Sequence, residues 1–100
     1  MACSFIETLS RVIDERISSG DPRSYTYRLY RGGLGQVGKK VGEEAVEVVV
    51  AAMSGDRSAV VNEAADLIYH LLVLLRSMKI SFDEVCAELE RRHRVGVGYG

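Results

Sequence analysis

The chain has no tryptophan, only seven aromatic residues and two cysteines, Cys3 and Cys86, and its formal net charge is −1. The cysteines are far apart and form no Cys-x-x-Cys motif, so they fit reduced thiols better than a disulfide framework, with Cys86 packing as a small apolar residue. No basic tract interrupts the balanced charge. A nucleic-acid backbone calls for a clustered positive footprint, so nucleic acid is excluded as a partner while a nucleotide is not. No charged-then-apolar leader opens the sequence, and the longest apolar runs are too short to span a bilayer. The expectation is a cytoplasmic protein without a membrane partner.

What is present is apolar material in excess. Hydrophobic residues make up 47% of only 100 residues. A domain of this size has a small interior relative to its surface. The economical solution is a homo-oligomer that buries helix faces between chains.

Local signals punctuate the chain into about four helices. Ser4 and Glu7 read as a capping box before a stripe of Phe5, Ile6, Leu9, Val12, Ile13 and Ile17. Gly20 and Pro22 stop that helix. The segment Ser24 to Arg31 suits either a short helix or an extended arm. Gly32, Gly33, Gly35 and Gly38 then disfavour helix, at about 1 kcal/mol each relative to alanine, so the second long helix is expected from about Lys39 to Met53. This glycine cluster lacks the Gly-Lys-Ser/Thr ending of a phosphate-binding P-loop and a strand before it. Gly55 is expected in the left-handed conformation and Asp56 as an N-cap, opening a helix to about Met78. A last helix begins at Ser81, in a capping box with Glu84, and runs to about His93. No strand run is evident. The fold class is all-α: an antiparallel bundle of about four helices per chain, spanning residues 1–95, with a flexible tail at 96–100.

The chemistry lies in four carboxylates, arranged as Glu44-x-x-Glu47 and Glu63-x-x-Asp66. Residues three apart share a helix face, so each pair projects together. The short turn at Gly55 makes the two helices antiparallel neighbours. Positions equidistant from Gly55 then lie opposite each other. Glu47 faces Glu63, Glu44 faces Asp66, Ala51 faces Ala59, and Lys40 faces His70.

A solvated surface is the ordinary fate of a single Glu-x-x-Glu. Two pairs in register among valines and leucines need a different reason, because clustered acids repel and burial penalises their charge. A hard divalent cation answers both difficulties, and oxygen-only ligands favour magnesium, with manganese a substitute, over zinc. Di-iron bundles use Glu-x-x-His, which is missing here. No serine or cysteine stands beside a positioned base, leaving metal-assisted attack by water. Lys40 and Lys39 are candidates for substrate phosphate, with solubilisation of a helix start as their ordinary reading. His70 fits a packed, hydrogen-bonded histidine better than a ligand.

The runs Lys39-Lys40-Val41-Gly42-Glu43-Glu44-Ala45-Val46-Glu47 and Asn62-Glu63-Ala64-Ala65-Asp66-Leu67-Ile68-Tyr69-His70 resemble the phosphoribosyl-ATP pyrophosphatase family. That family lies within the all-α, MazG-like nucleotide pyrophosphatases. Their signature, Glu-Glu-x-x-Glu followed by Glu-x-x-Asp, maps onto Glu43, Glu44, Glu47, Glu63 and Asp66. Ser24-Tyr25-Thr26-Tyr27-Arg28-Leu29 is similar to a further family segment. The resemblance spans about residues 4 to 93.

It implies hydrolysis of phosphoribosyl-ATP to phosphoribosyl-AMP and pyrophosphate, the second step of histidine biosynthesis. It also implies a homodimer whose paired helices complete a four-helix core. Glu44, Glu47, Glu63 and Asp66 would hold magnesium, and Glu43 would be a base candidate. Lys40, Lys39 and Arg28, with Arg23 nearby, would meet phosphate or ribose. Tyr25 and Tyr27 would either touch the substrate or pack. The competing readings are a housekeeping nucleoside triphosphate pyrophosphatase with the same metal site and a non-catalytic helical dimerisation module.

Overall fold

The computed structural model describes residues 5–96, 98 and 99, in which every regular element is helical. In chain order these are α1 (Phe5–Ser19), α2 (Tyr25–Arg31), α3 (Leu34–Ser54), α4 (Arg57–Ser77) and α5 (Phe82–Arg94). Ser4 and Cys3, and with them the expected first capping box, lie outside the described residues.

Local chemistry sets most helix ends. Gly20, at φ 66°, follows the last residue of α1. The Ser24 side chain accepts from the Tyr27 amide and opens α2, which resolves the Ser24–Arg31 segment as a helix. Gly55 adopts a left-handed φ of 75°, and Asp56 accepts from the Ala59 amide at 3.1 Å, so α3 stops and α4 starts within two residues. Ser81 and Glu84 form the reciprocal capping box of α5.

One boundary differs from the sequence expectation. α3 begins at Leu34, not near Lys39, and runs straight through Gly35, Gly38 and Gly42. Val37 explains the difference, because it is completely buried within this stretch. Tertiary burial on one face outweighs the glycines' weak propensity on the other.

The antiparallel hairpin of α3 and α4 is the dominant packing unit, with α1 and α2 laid against its open end and α1 reaching α5. Ile13, Leu29, Val37, Leu72 and Val73 form the core there, supported by Ile6, Leu9, Ile17, Tyr69, Leu74 and Phe82. Arg76 clamps this end: it donates to both Asp14 carboxylate oxygens at 2.8 and 3.0 Å and to the Ile80 carbonyl at 3.0 Å. By length and composition α4 could reach across a bilayer. Its Arg76 is engaged within the protein by Asp14, and its Glu63 and Asp66 lie close to Glu44 of α3.

The main buried cluster occupies the open end of the hairpin, with Ala51 buried nearer the turn. Toward the Gly55 turn, Val46, Val49, Val50 and Met53 on α3 and Val61 on α4 are 59–81% exposed. The radius of gyration is 15.1 Å, well above the value of about 13 Å for a compact chain of this length. The hairpin is therefore an arm that projects from the body and carries an apolar face in the open.

Candidate functional site

Along the hairpin, Val37 and Val73 lie in the core, and Glu44 meets Glu63 and Asp66 nearer the turn. At 1.5 Å rise per residue, Glu44 lies about 10 Å from the Val37 level. The acids thus sit where core becomes arm.

One carboxylate oxygen from each of Glu44, Glu63 and Asp66 lies within 4.8 Å of the others. Glu44 is buried, at 6% exposure, while Glu63 and Asp66 are half-buried. Glu47 is exposed and stands beside the trio. The negative charge of Glu44, then partial desolvation, then Glu63 lift its carboxyl above the ordinary range. Three of the expected ligands therefore converge closely, and the fourth is tied to them by its field. An all-oxygen donor set of this charge fits a hard divalent ion such as magnesium.

Lys40 borders the cluster, its Nζ 3.5 Å from Glu44 and 3.6 Å from Glu43. Glu43 is exposed and reaches the site only through this lysine. Lys39 is exposed on the neighbouring face. Arg28 donates to the Pro22 carbonyl at 2.9 Å and caps its own loop. Arg23 is held by Asp21 through bonds of 2.9 to 3.3 Å, so it also serves the α1–α2 connection. Of the candidate phosphate-binding cations, Lys40 is the one beside the acids.

His70 is a buried, fully bonded histidine. Its Nδ1 lies 2.7 Å from the Asp66 carbonyl and its Nε2 2.9 Å from the Tyr25 hydroxyl. Helical side chains lean toward the N-terminus, so a histidine four residues after Asp66 lies over that turn. Tyr69 packs edge-on to His70, stacks with Tyr25 and shares a hydroxyl–hydroxyl bond with buried Thr26. Burial, the foremost influence, holds the Tyr69 hydroxyl above its usual range against the opposing bond from Thr26. Sequence reasoning named Tyr25 and His70 separately and passed over Tyr69. The signal joining them is the docking of α2 on α4, which local spacing does not carry. Among the described residues no buried side-chain nitrogen or oxygen lacks a hydrogen-bond partner.

Comparison with known proteins agrees with this geometry. A family model described as phosphoribosyl-ATP pyrophosphohydrolase matches residues 6–93. A Pyrobaculum aerophilum protein named phosphoribosyl-ATP pyrophosphatase is 58% identical over 92 residues, covering 92% of this chain and 98% of its own length. A Pyrobaculum islandicum protein of the same name is 57% identical over 94 residues, covering 94% of this chain and all of its own. A Metallosphaera sedula protein, also so named, is 56% identical over 87 residues, covering 87% of this chain and 94% of its own. With the match running through both acidic pairs and nearly from end to end, the chain belongs to the phosphoribosyl-ATP pyrophosphohydrolase family.

Proposed function

We propose that this chain hydrolyses phosphoribosyl-ATP to phosphoribosyl-AMP and pyrophosphate, the second step of histidine biosynthesis, in the cytoplasm. The observation that carries the reading is the convergence of Glu44, Glu63 and Asp66 oxygens within 4.8 Å beside Lys40, in a chain of this family. Glu44, Glu47, Glu63 and Asp66 would hold magnesium, or manganese in its place. Such an ion would supply positive charge for the triphosphate oxygens and for a water attacking the α–β linkage.

The chain's own groups complete the site. Lys40 offers an ammonium to the pyrophosphate as it leaves and its charge grows. Glu43, paired with Lys40 and otherwise exposed, is the base candidate of this reading, taking a proton from solvent-side water. Lys39 and Arg28 remain more distant phosphate candidates, and Arg28 must leave the Pro22 carbonyl to serve as one.

Residues 1–95 form the catalytic unit, with 96–100 as a tail. The protein acts as a homodimer, which the exposed valines of the hairpin support. Val46, Val49, Val50 and Met53 recur at helical spacing on α3, with Val61 and Ile68 exposed on α4. Two such hairpins laid face to face make a four-helix core and remove this stripe from water.

The test compares pyrophosphate release from phosphoribosyl-ATP with release from ordinary nucleoside triphosphates, for the wild-type chain and Glu47→Gln. The expected result is a clear preference for phosphoribosyl-ATP, magnesium dependence, and loss of turnover in the variant with its helical circular dichroism unchanged. Preference for ordinary nucleotides would refute the substrate. Full activity of Glu47→Gln would refute its role at the metal.

A further inference from the structure

Tyr25 is tethered and exposed at once. Its hydroxyl lies 2.9 Å from Nε2 of His70, a residue only 6% exposed. Its ring stacks on Tyr69, with 6.3 Å between centres and 30° between planes, and meets the His70 ring edge-on at 5.9 Å. Yet Tyr25 itself remains 44% exposed. A phenol braced at its tip and against two rings, with much of its surface still in water, is a rigid aromatic platform rather than a core side chain.

Its bonds tie this platform to the acids. His70 Nδ1 lies 2.7 Å from the Asp66 carbonyl, so a single imidazole separates the phenol from the backbone of an expected metal ligand. In a nucleotide a single ribose separates the purine from the α-phosphate. A triphosphate held at Glu44, Glu63 and Asp66 therefore carries its base at the range of the Tyr25 ring. Tyr69 cannot take that part, being half-buried with its hydroxyl bonded to Thr26.

The base of phosphoribosyl-ATP is not an ordinary adenine. Its second ribose is joined to ring nitrogen N1, which makes the base an amidinium that holds a positive charge near neutral pH. The face of an aromatic ring is negative and attracts such a cation, whereas a neutral adenine gains only the stacking.

We propose that Tyr25 is a specificity-determining residue, whose ring stacks on the cationic N1-substituted purine and selects it over the neutral base of ordinary nucleoside triphosphates. The inference rests on the proposed pyrophosphatase reading and deepens it. It gives α2, which supplies no acid, the discrimination between substrates.

Calorimetry in the presence of magnesium tests it with two non-hydrolysable probes, α,β-methylene ATP and its N1-methylated counterpart. They share a phosphate chain and differ in the charge of the base. Wild type is expected to bind the methylated probe about tenfold tighter, Tyr25→Phe to keep most of that preference, and Tyr25→Leu to reduce it to within about twofold. A merely structural role would weaken both probes alike. In pyrophosphate release from phosphoribosyl-ATP, Tyr25→Leu should raise KM about tenfold with kcat within about twofold of wild type. Equal binding of the two probes by wild type, or an undiminished preference in Tyr25→Leu, would overturn the proposal.

The absence of tryptophan from the chain supplies a second measurement should Tyr25→Leu fail to fold. Tyr25→Trp places the sole indole at the proposed contact, and its emission should be quenched by the methylated probe at lower concentration than by the unmethylated one. Emission that neither probe alters would overturn the contact. A wild-type chain that releases no pyrophosphate from phosphoribosyl-ATP would remove the function and this inference together, whereas an active chain that binds the two probes alike would remove only the role of Tyr25.

Discussion

Replacing Glu44 by glutamine takes one negative charge out of a buried position while keeping the side chain's size. In the metal-free protein that charge meets two others, on Glu63 and Asp66, at no more than 4.8 Å, and one ammonium, on Lys40, at 3.5 Å. At an effective dielectric of about 20, each acid repels Glu44 by about 3.5 kcal/mol and Lys40 attracts it by about 5 kcal/mol. The repulsions exceed the attraction by about 2 kcal/mol, and solvent around half-exposed Glu63 and Asp66 reduces this to about 1 kcal/mol. The metal-free variant should therefore melt about 4–8 °C above wild type. Magnesium reverses the order. At a hundred times its dissociation constant a ligand stabilises the folded state by about 2.7 kcal/mol, and wild type should gain this while the variant gains little. Thermal unfolding followed by circular dichroism, in chelator and in saturating magnesium, reads both arms. A variant that melts below wild type in chelator, or an equal magnesium gain in both proteins, would refute the account of the acids as a repulsive cluster awaiting a cation.

Three further outcomes are expected. Gly38→Ala should stabilise the chain by about 1 kcal/mol in denaturant titrations, because alanine favours helix and an added Cβ meets nothing within 4 Å. Glu88 is held down to about 2 by its bonds to Arg91 and Arg92. A carboxylate with a depressed folded-state value stabilises above its unfolded value and loses that advantage as pH falls toward the folded one. Wild type should thus be more stable than Glu88→Gln above pH 4.5 and converge with it as pH approaches 2 in acid unfolding. Val50→Asp, at a site 62% exposed, should convert the proposed dimer to monomer in sedimentation velocity while each chain keeps its helical spectrum.

The register of the acids was legible because it depends on only two things, a tight turn and helical periodicity. Gly55, by its left-handed backbone, and Asp56, by its capping carboxylate, announce the turn, and the meeting of Glu44 with Glu63 and Asp66 follows by counting outward. The start of α3 was not legible. Glycine propensity is a local quantity, whereas the burial of Val37 is decided by Ile13, Leu29 and Val73 from three other helices. The same holds for α2. Nothing within Ser24–Arg31 tells a tyrosine that a histidine 45 positions away will share a hydrogen bond with its hydroxyl. The engagement of Arg28 by the Pro22 carbonyl was not legible for a related reason, since it depends on how the loop before α2 folds back.

Because the buried side chains gather at one end of the α3–α4 hairpin, the amide protons along it should differ in how often they meet solvent. Those near Val37 and Val73 open only when the whole chain unfolds, while those between Glu47 and Glu63 can open by local fraying of a bare stem. Mutational tolerance should be divided along the same line. Changes on the distal stem would be screened by the proposed assembly and chemistry, and changes at its base by whether a folded chain forms at all.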